Sequence, residues 1–163
     1  MNNQQWTPLA GSEFEKRRRV MWLNSSVIDV GCFEDMNFKD QAALAAMHET
    51  SDLFIARGIA EGFYKGWFAE DITGRILAGG GVVITIMPTH PRDPQPRRAT
   101  ILNLYTYPQY RRQGLARLLM QTMIDWCRGE GFASVSLHAS DDGRLLYEAL
   151  GFQPRNEMRL WLK

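Results

Sequence analysis

Apolar and polar positions along the chain alternate between two rhythms, and the change of rhythm marks the elements. Ser12-Glu13-Phe14-Glu15 has the spacing of a capping box, Ser12 as N-cap and Glu15 three residues on, and predicts a helix running to about Asn24. Ser25 to Cys32 is ambiguous: Val27, Ile28 and Val30 favour a strand, but the run is short. Asn37 can cap a second helix over about 38–57, ended by Gly58. From Phe63 the period becomes two: Phe63, Lys65, Trp67 and Ala69 alternate with Tyr64, Gly66, Phe68 and Glu70, as in a strand. Asp71-Ile72-Thr73-Gly74 reads as a turn. Arg75 to Ile86 is then apolar on both faces, which suits a central strand, and Gly79-Gly80-Gly81 inside it marks a bulge or a close backbone approach.

Met87 to Arg98 carries Pro88, Pro91, Pro94 and Pro96 and predicts an irregular loop, either a plain connection or a border of a substrate site. Ala99 to Tyr107 is the next strand, stopped by Pro108. From Gly114 to about Gly129 the rhythm is helical: Leu115, Leu118, Leu119, Thr122, Met123 and Trp126 form one stripe that must pack on a sheet. Phe132 to Ala139 alternates again. Strand, helix and strand make a βαβ unit, whose two strands are parallel. A short helix over 144–150 follows Ser140-Asp141-Asp142-Gly143, with Gly151 as its cap, and Gln153 to Leu162 closes with a last strand or pair of strands.

Composition narrows the function classes. The 163 residues suit one domain over 1–163, with the polar stretch 1–11 expected to be mobile. A net charge of +1 gives no global field for nucleic acid or an anionic membrane. Arg17-Arg18-Arg19 is a solvated face or a local basic patch. No apolar run reaches the roughly 20 residues that span a bilayer, and the N-terminus lacks the apolar core of a signal peptide. Cys32 and Cys127 lie far apart, with Cys127 inside a predicted helix, which fits a reducing, cytoplasmic setting. His48, His90 and His138 are scattered, and no Cys/His spacing suggests a metal site.

Candidate chemistry concentrates in Asn103 to Ala116. A strand runs through a proline into a basic segment, then through Gly114 into a helix. The first amides of a helix lack intrahelical partners and sit at the positive end of its dipole, so an anion is their natural partner. Arg111 and Arg112 add full charge there, and Gly114 lets a ligand approach the backbone.

Read as Arg111, Arg112-Gln113, Gly114, Leu115, Ala116, the segment resembles the pyrophosphate loop of the GNAT N-acetyltransferase superfamily. Leu145-Leu146-Tyr147-Glu148-Ala149-Leu150-Gly151-Phe152 resembles that family's short helix after the following strand, and the likeness spans about 61–162. The resemblance implies an α/β fold whose mixed, mostly antiparallel sheet carries a central parallel βαβ pair and flanking helices. It implies acetyl-CoA as cofactor and transfer of an acetyl group to a primary amine of a small molecule or peptide, in a ternary complex. The alternative is a GNAT-fold protein that binds or senses acyl-CoA without turnover. By the same resemblance, backbone groups of Leu104, Tyr105 and Thr106 would pair with pantetheine where the strands at Leu104 and Leu137 splay. Arg111, Arg112, Gln113, Gly114, Leu115 and Ala116 would hold the pyrophosphate. Tyr147 would protonate the departing thiolate, its ordinary pKa of about 10 lying close enough to a thiol's. A homodimer is common in the family. Two departures stand out. The family's opening strand has no evident counterpart before the capping box. No carboxylate occupies the strand before the loop, where Asn103 and Tyr105 stand, so the base is either His138 or a water chain.

Overall fold

The computed structural model describes residues 19–21, 40–89, 91, 94–156 and 158–160. Five strands form one sheet in the order β1-β2-β3-β4-β5: β1 (Arg19–Met21), β2 (Tyr64–Glu70), β3 (Ile76–Ile86), β4 (Arg97–Thr106) and β5 (Val135–Leu137). The first three pairings are antiparallel and β4–β5 is parallel. Among the described residues three α-helices accompany them: α1 (Gln41–Glu61), α2 (Leu115–Gly129) and α3 (Asp141–Ala149). A 3-10 turn, Pro108–Tyr110, joins β4 to the loop before α2.

The buried core sits between the sheet and α2. Leu115, Leu119, Met120 and Met123 of α2 are essentially inaccessible and pack on Trp67, Ala69, Ala78, Val82 and Ile101. The predicted stripe is therefore the core face, rotated slightly so that Met120, Ile124 and Cys127 are buried while Thr122 turns its hydroxyl back to the Leu118 carbonyl at 2.9 Å. A smaller cluster of Ile55, Tyr64 and Val83 lies under α1, with Phe63 and Leu102 against it.

The strand predictions hold for the hairpin and for β4. The predicted strand 132–139 contracts to three residues. Several expectations are corrected. Residues 19–21, predicted as the end of a first helix, form β1, paired Arg19↔Glu70, Val20↔Ala69 and Met21↔Phe68. A local helix signal yields there to the backbone hydrogen bonds that the β2 edge offers. Ser12 to Glu15, the ambiguous run 25–32 and Asn37 lie outside the described residues. The helix expected over 38–57 is Gln41–Glu61: Asp40 caps it, accepting from the Ala42 and Ala43 amides, and Gly62, at φ 80°, ends it. Gly58 lies inside this helix. A Cβ there would stand 2.5 Å from Tyr64 Cβ, so the glycine allows α1 to approach β2 closely. The helix expected from Arg144 starts at Asp141, because Ser140 accepts from the Gly143 amide and caps it. The strand expected over Gln153 to Leu162 is absent among the described residues, which are exposed from Gln153 onward and join no ladder.

Candidate active site at the divergence of β4 and β5

Register places the site. β4 and β5 pair at only three positions, Ala99↔Val135, Thr100↔Ser136 and Ile101↔Leu137. β5 then stops, while β4 continues to Thr106. Beyond Ile101 the β5-facing edge of β4 has no partner strand among the described residues. The pair is pinned below the divergence by the Thr100 and Ser136 hydroxyls, 3.0 Å apart.

β4 also bulges at this point. Gly79 pairs with Tyr105 and Gly81 with Leu102, so Asn103 and Leu104 together oppose Gly80. Asn103 takes φ 56°, a left-handed conformation that asparagine tolerates better than most residues. The bulge re-phases the strand: Leu102 packs under α1, and Leu104 against the α2 core. The glycine run makes room for it, since a Cβ on Gly80 would lie 3.3 Å from Leu104 Cα and 3.4 Å from Met123 Cε. A Cβ on Gly81 would run into the Tyr64 hydroxyl. Bulge and close approach, offered as alternatives for these glycines, are both present.

The loop that follows leaves the start of α2 without a side-chain cap. Gly114 is the N-cap of α2 at φ 79°, no side chain caps the helix, and nothing stands within 4 Å of the position a Cβ on Gly114 would occupy. The first α2 amides, which have no intrahelical partners, are thus not capped by a side chain and could take an anionic acceptor. Arg112 holds φ 61°, a strained conformation for a long side chain. Arg111 folds back on β4: its Nε donates to the Thr106 carbonyl at 3.0 Å and its guanidinium lies 5.6 Å from the Tyr105 ring centre. The Thr106 hydroxyl is buried without a hydrogen-bond partner, an orphan at the end of the unpaired edge. An uncapped helix, open space and an orphaned hydroxyl fit an anionic ligand with a polar arm. The loop is anchored from below by Arg75, which donates to the Tyr110 hydroxyl at 2.9 Å. That bond and nearby Asp71 raise the Arg75 pKa above its ordinary value. Asp71 accepts from Thr73 and from the Arg75 amide, which lowers its own pKa.

The structure brings Leu104, Tyr105, Thr106 and the segment from Arg111 to Ala116 together around this opening. Leu115 contributes only backbone there, because its side chain is core. Tyr147 belongs to the same buried cluster as Leu115 and is 9% exposed. Its ring lies edge-on to Phe152 and covers Gly143, where a Cβ would meet the hydroxyl at 2.7 Å. Tyr147 lines a cavity of about 780 Å³ with Cys127, Phe132, Ser136 and His138. That cavity lies beside β5 and the C-terminal half of α2, and neither the bulge nor the Arg111–Ala116 loop lines it. Burial and Glu130 push the Cys127 thiol up to about 11. Sequence reasoning missed the Arg75–Tyr110 anchor, which joins residues distant in the chain. It also missed the left-handed Asn103, for which the only signal is an asparagine inside an otherwise β-prone run.

Residues 34–152 match the Acetyltransferase (GNAT) family. Over 121 residues the chain is 31% identical to the mouse (Mus musculus) protein called probable N-acetyltransferase family 8 member 5. That alignment covers 71% of this chain and 49% of the mouse protein, so the chain spans about half the length of this relative. A GCN5-related N-acetyltransferase from Ralstonia eutropha superposes with a TM-score of 0.77 at 30% identity, covering 90% of this chain and 99% of that one. A predicted acetyltransferase from Clostridium acetobutylicum, solved with acetyl-CoA, superposes with a TM-score of 0.73 at 19% identity, covering 90% and 95%. Family match and fold likeness agree: this chain belongs to the GNAT acetyltransferase family.

Proposed function

We propose that the protein transfers an acetyl group from acetyl-CoA to a primary amine of a small molecule or peptide, by direct attack in a ternary complex. The observation that carries this is the uncapped start of α2 behind Gly114, beside an edge of β4 that β5 leaves unpaired. In this reading the α2 amides and Arg112 hold the pyrophosphate of acetyl-CoA. Backbone groups of Leu104 to Thr106 pair with pantetheine as a neighbouring strand would. An amide at the bulge donates to the thioester carbonyl oxygen and stabilises the charge that develops there. The neutral amine attacks the carbonyl carbon, a C–N bond forms and the C–S bond breaks. Tyr147 gives its phenolic proton to the departing sulfur, and the proton lost by the amine restores the phenol. The mouse relative's name, an N-acetyltransferase, and the acetyl-CoA bound to the Clostridium protein support the choice of cofactor and acceptor.

The cell compartment proposed is the cytoplasm, supported by a free, buried Cys127. Among the described residues no helix is long and apolar enough to cross a membrane. Homodimer assembly belongs to the same proposal, with exposed Ile86, Met87 and Leu145 as apolar area available to it. The test is release of thiol from acetyl-CoA with glucosamine 6-phosphate, neamine and short peptides bearing free N-termini as acceptors. Release that requires an amine is expected. Tight CoA binding without release across this panel overturns turnover in favour of a sensor. Replacing Tyr147 by Phe should lower kcat about a hundredfold, the scale of a lost general acid, with the CoA Kd little changed. An equal loss in both removes Tyr147 from the acid role.

A further inference from the structure

We infer that Gly143 is a positioning residue for the proton transfer: having no side chain, it gives the Tyr147 phenol the seat from which the acid reaches the departing sulfur. The inference rests on Tyr147 being the acid, as proposed above. The backbone does not ask for glycine at this position. Gly143 lies in the first turn of α3 and is not among the glycines with positive φ, so alanine, the better helix former, would suit the chain. What excludes alanine is the tyrosine one turn on. A Cβ at Gly143 would stand 2.5 Å from Cε2, 2.7 Å from Cζ and 2.7 Å from the hydroxyl of Tyr147. All three atoms belong to the reacting end of the ring.

The two caps of α3 hold the walls of this seat. Gly143 cannot draw back, because its amide donates to the Ser140 carbonyl at 3.2 Å and to the Ser140 hydroxyl at 3.3 Å. Phe152 is the opposite wall, edge-on to the phenol with 6.2 Å between ring centres. It is placed there by its amide, which donates to the Tyr147 carbonyl at 3.0 Å once Gly151 has turned the chain at φ 92°. A methyl at 143 is therefore met by movement of the phenol and not of the backbone. The ring must give by about 1 Å to regain ordinary contact, which begins at 3.4 Å. The open space beside it is the cavity along β5, which neither the bulge nor the Arg111–Ala116 loop lines, so a displaced phenol moves away from the acetyl seat. Proton transfer needs its two heavy atoms within about 2.6–3.2 Å, and a misplacement of about 1 Å can cost a hundredfold in rate.

The experiment uses full-length protein carrying ¹³Cζ-labelled tyrosine, titrated with CoA and with desulfo-CoA, which lacks the thiol. The Tyr147 resonance, assigned by its loss in Tyr147→Phe, should take different positions with the two ligands in the parent. In Gly143→Ala that difference should fall by at least half, with both Kd values within twofold of the parent's. The variant keeps its fold, because the ring has open space to enter. Turnover is read as thiol release with whichever of glucosamine 6-phosphate, neamine and trialanine is acetylated. Gly143→Ala should lower kcat at least tenfold in the otherwise unchanged chain and less than twofold in Tyr147→Phe. Phenylalanine keeps the ring carbons that the methyl strikes and loses only the hydroxyl, so a merely structural effect would be equal in both backgrounds. The inference is overturned if the resonance difference survives in Gly143→Ala, if kcat falls equally in both backgrounds, or if the CoA Kd rises in step. The acid reading fails separately: a parent whose Tyr147 signal does not distinguish CoA from desulfo-CoA has its phenol away from the sulfur, and both conclusions then fall.

Discussion

Arg112 combines two opposed contributions. Its φ of 61° is a strained backbone that glycine would relieve, and its charge stands two residues before Gly114, the N-cap of α2. Arg112→Gly should therefore stabilise the free protein by about 1 kcal/mol while weakening CoA binding several-fold. Arg112→Ala should lose the affinity without the gain in stability. Thermal unfolding and calorimetry on the same two variants check both signs, and a glycine variant that binds CoA as tightly as the parent would remove Arg112 from the phosphate site. The arginine was legible as a charge in the sequence. Its backbone strain was not, because nothing local predicts a left-handed arginine; the geometry is imposed by the chain on either side.

At the scale of elements, close approach between α1 and β2 depends on Gly58. Alanine is the better helix former by about 1 kcal/mol. Here its Cβ would lie 2.5 Å from Tyr64 Cβ and 2.8 Å from Phe63 Cε2. Gly58→Ala should accordingly destabilise by about 1–3 kcal/mol, the cost of overpacking, as read from urea unfolding. A stabilised variant would show that α1 moves freely over β2. This glycine also shows why the α1 boundary was misplaced. In a sequence, Gly near the end of an apolar run reads as a stop, whereas the stop is Gly62 at φ 80°. The α2 boundaries needed no tertiary information, since Gly114 and the stripe from Leu115 carry them. β1 could not be read at all, because three residues become a strand only when β2 presents its edge.

For the whole molecule, burial of Cys127 sets an alkaline limit. The thiol ionises near 9.0 in an ordinary setting and is held up to about 11 in the fold. Between those values the unfolded chain has released its proton and the folded chain has kept it, so ionisation favours unfolding. Stability from this group is complete below about pH 9 and lost as pH rises towards about 11. Urea unfolding across that range should show the decline in the parent and a shallower one in Cys127→Ala; identical slopes would mean the thiol is not buried in solution. The fold class was legible because hairpin, βαβ unit and loop motif each carry strong local patterns. The last strand was not, because alternation in Gln153 to Leu162 is a statement about a partner that no described strand supplies.

The three-residue pairing of β4 with β5 has one more consequence. A sheet that stops pairing halfway along a strand is unfinished, and among the described residues none supplies its missing rungs. If the coenzyme's amide-bearing arm fills that gap, the small molecule is a component of the architecture as well as a reactant. The protein would then be sturdiest when acetyl donor is plentiful and most open to local unravelling when the supply runs down.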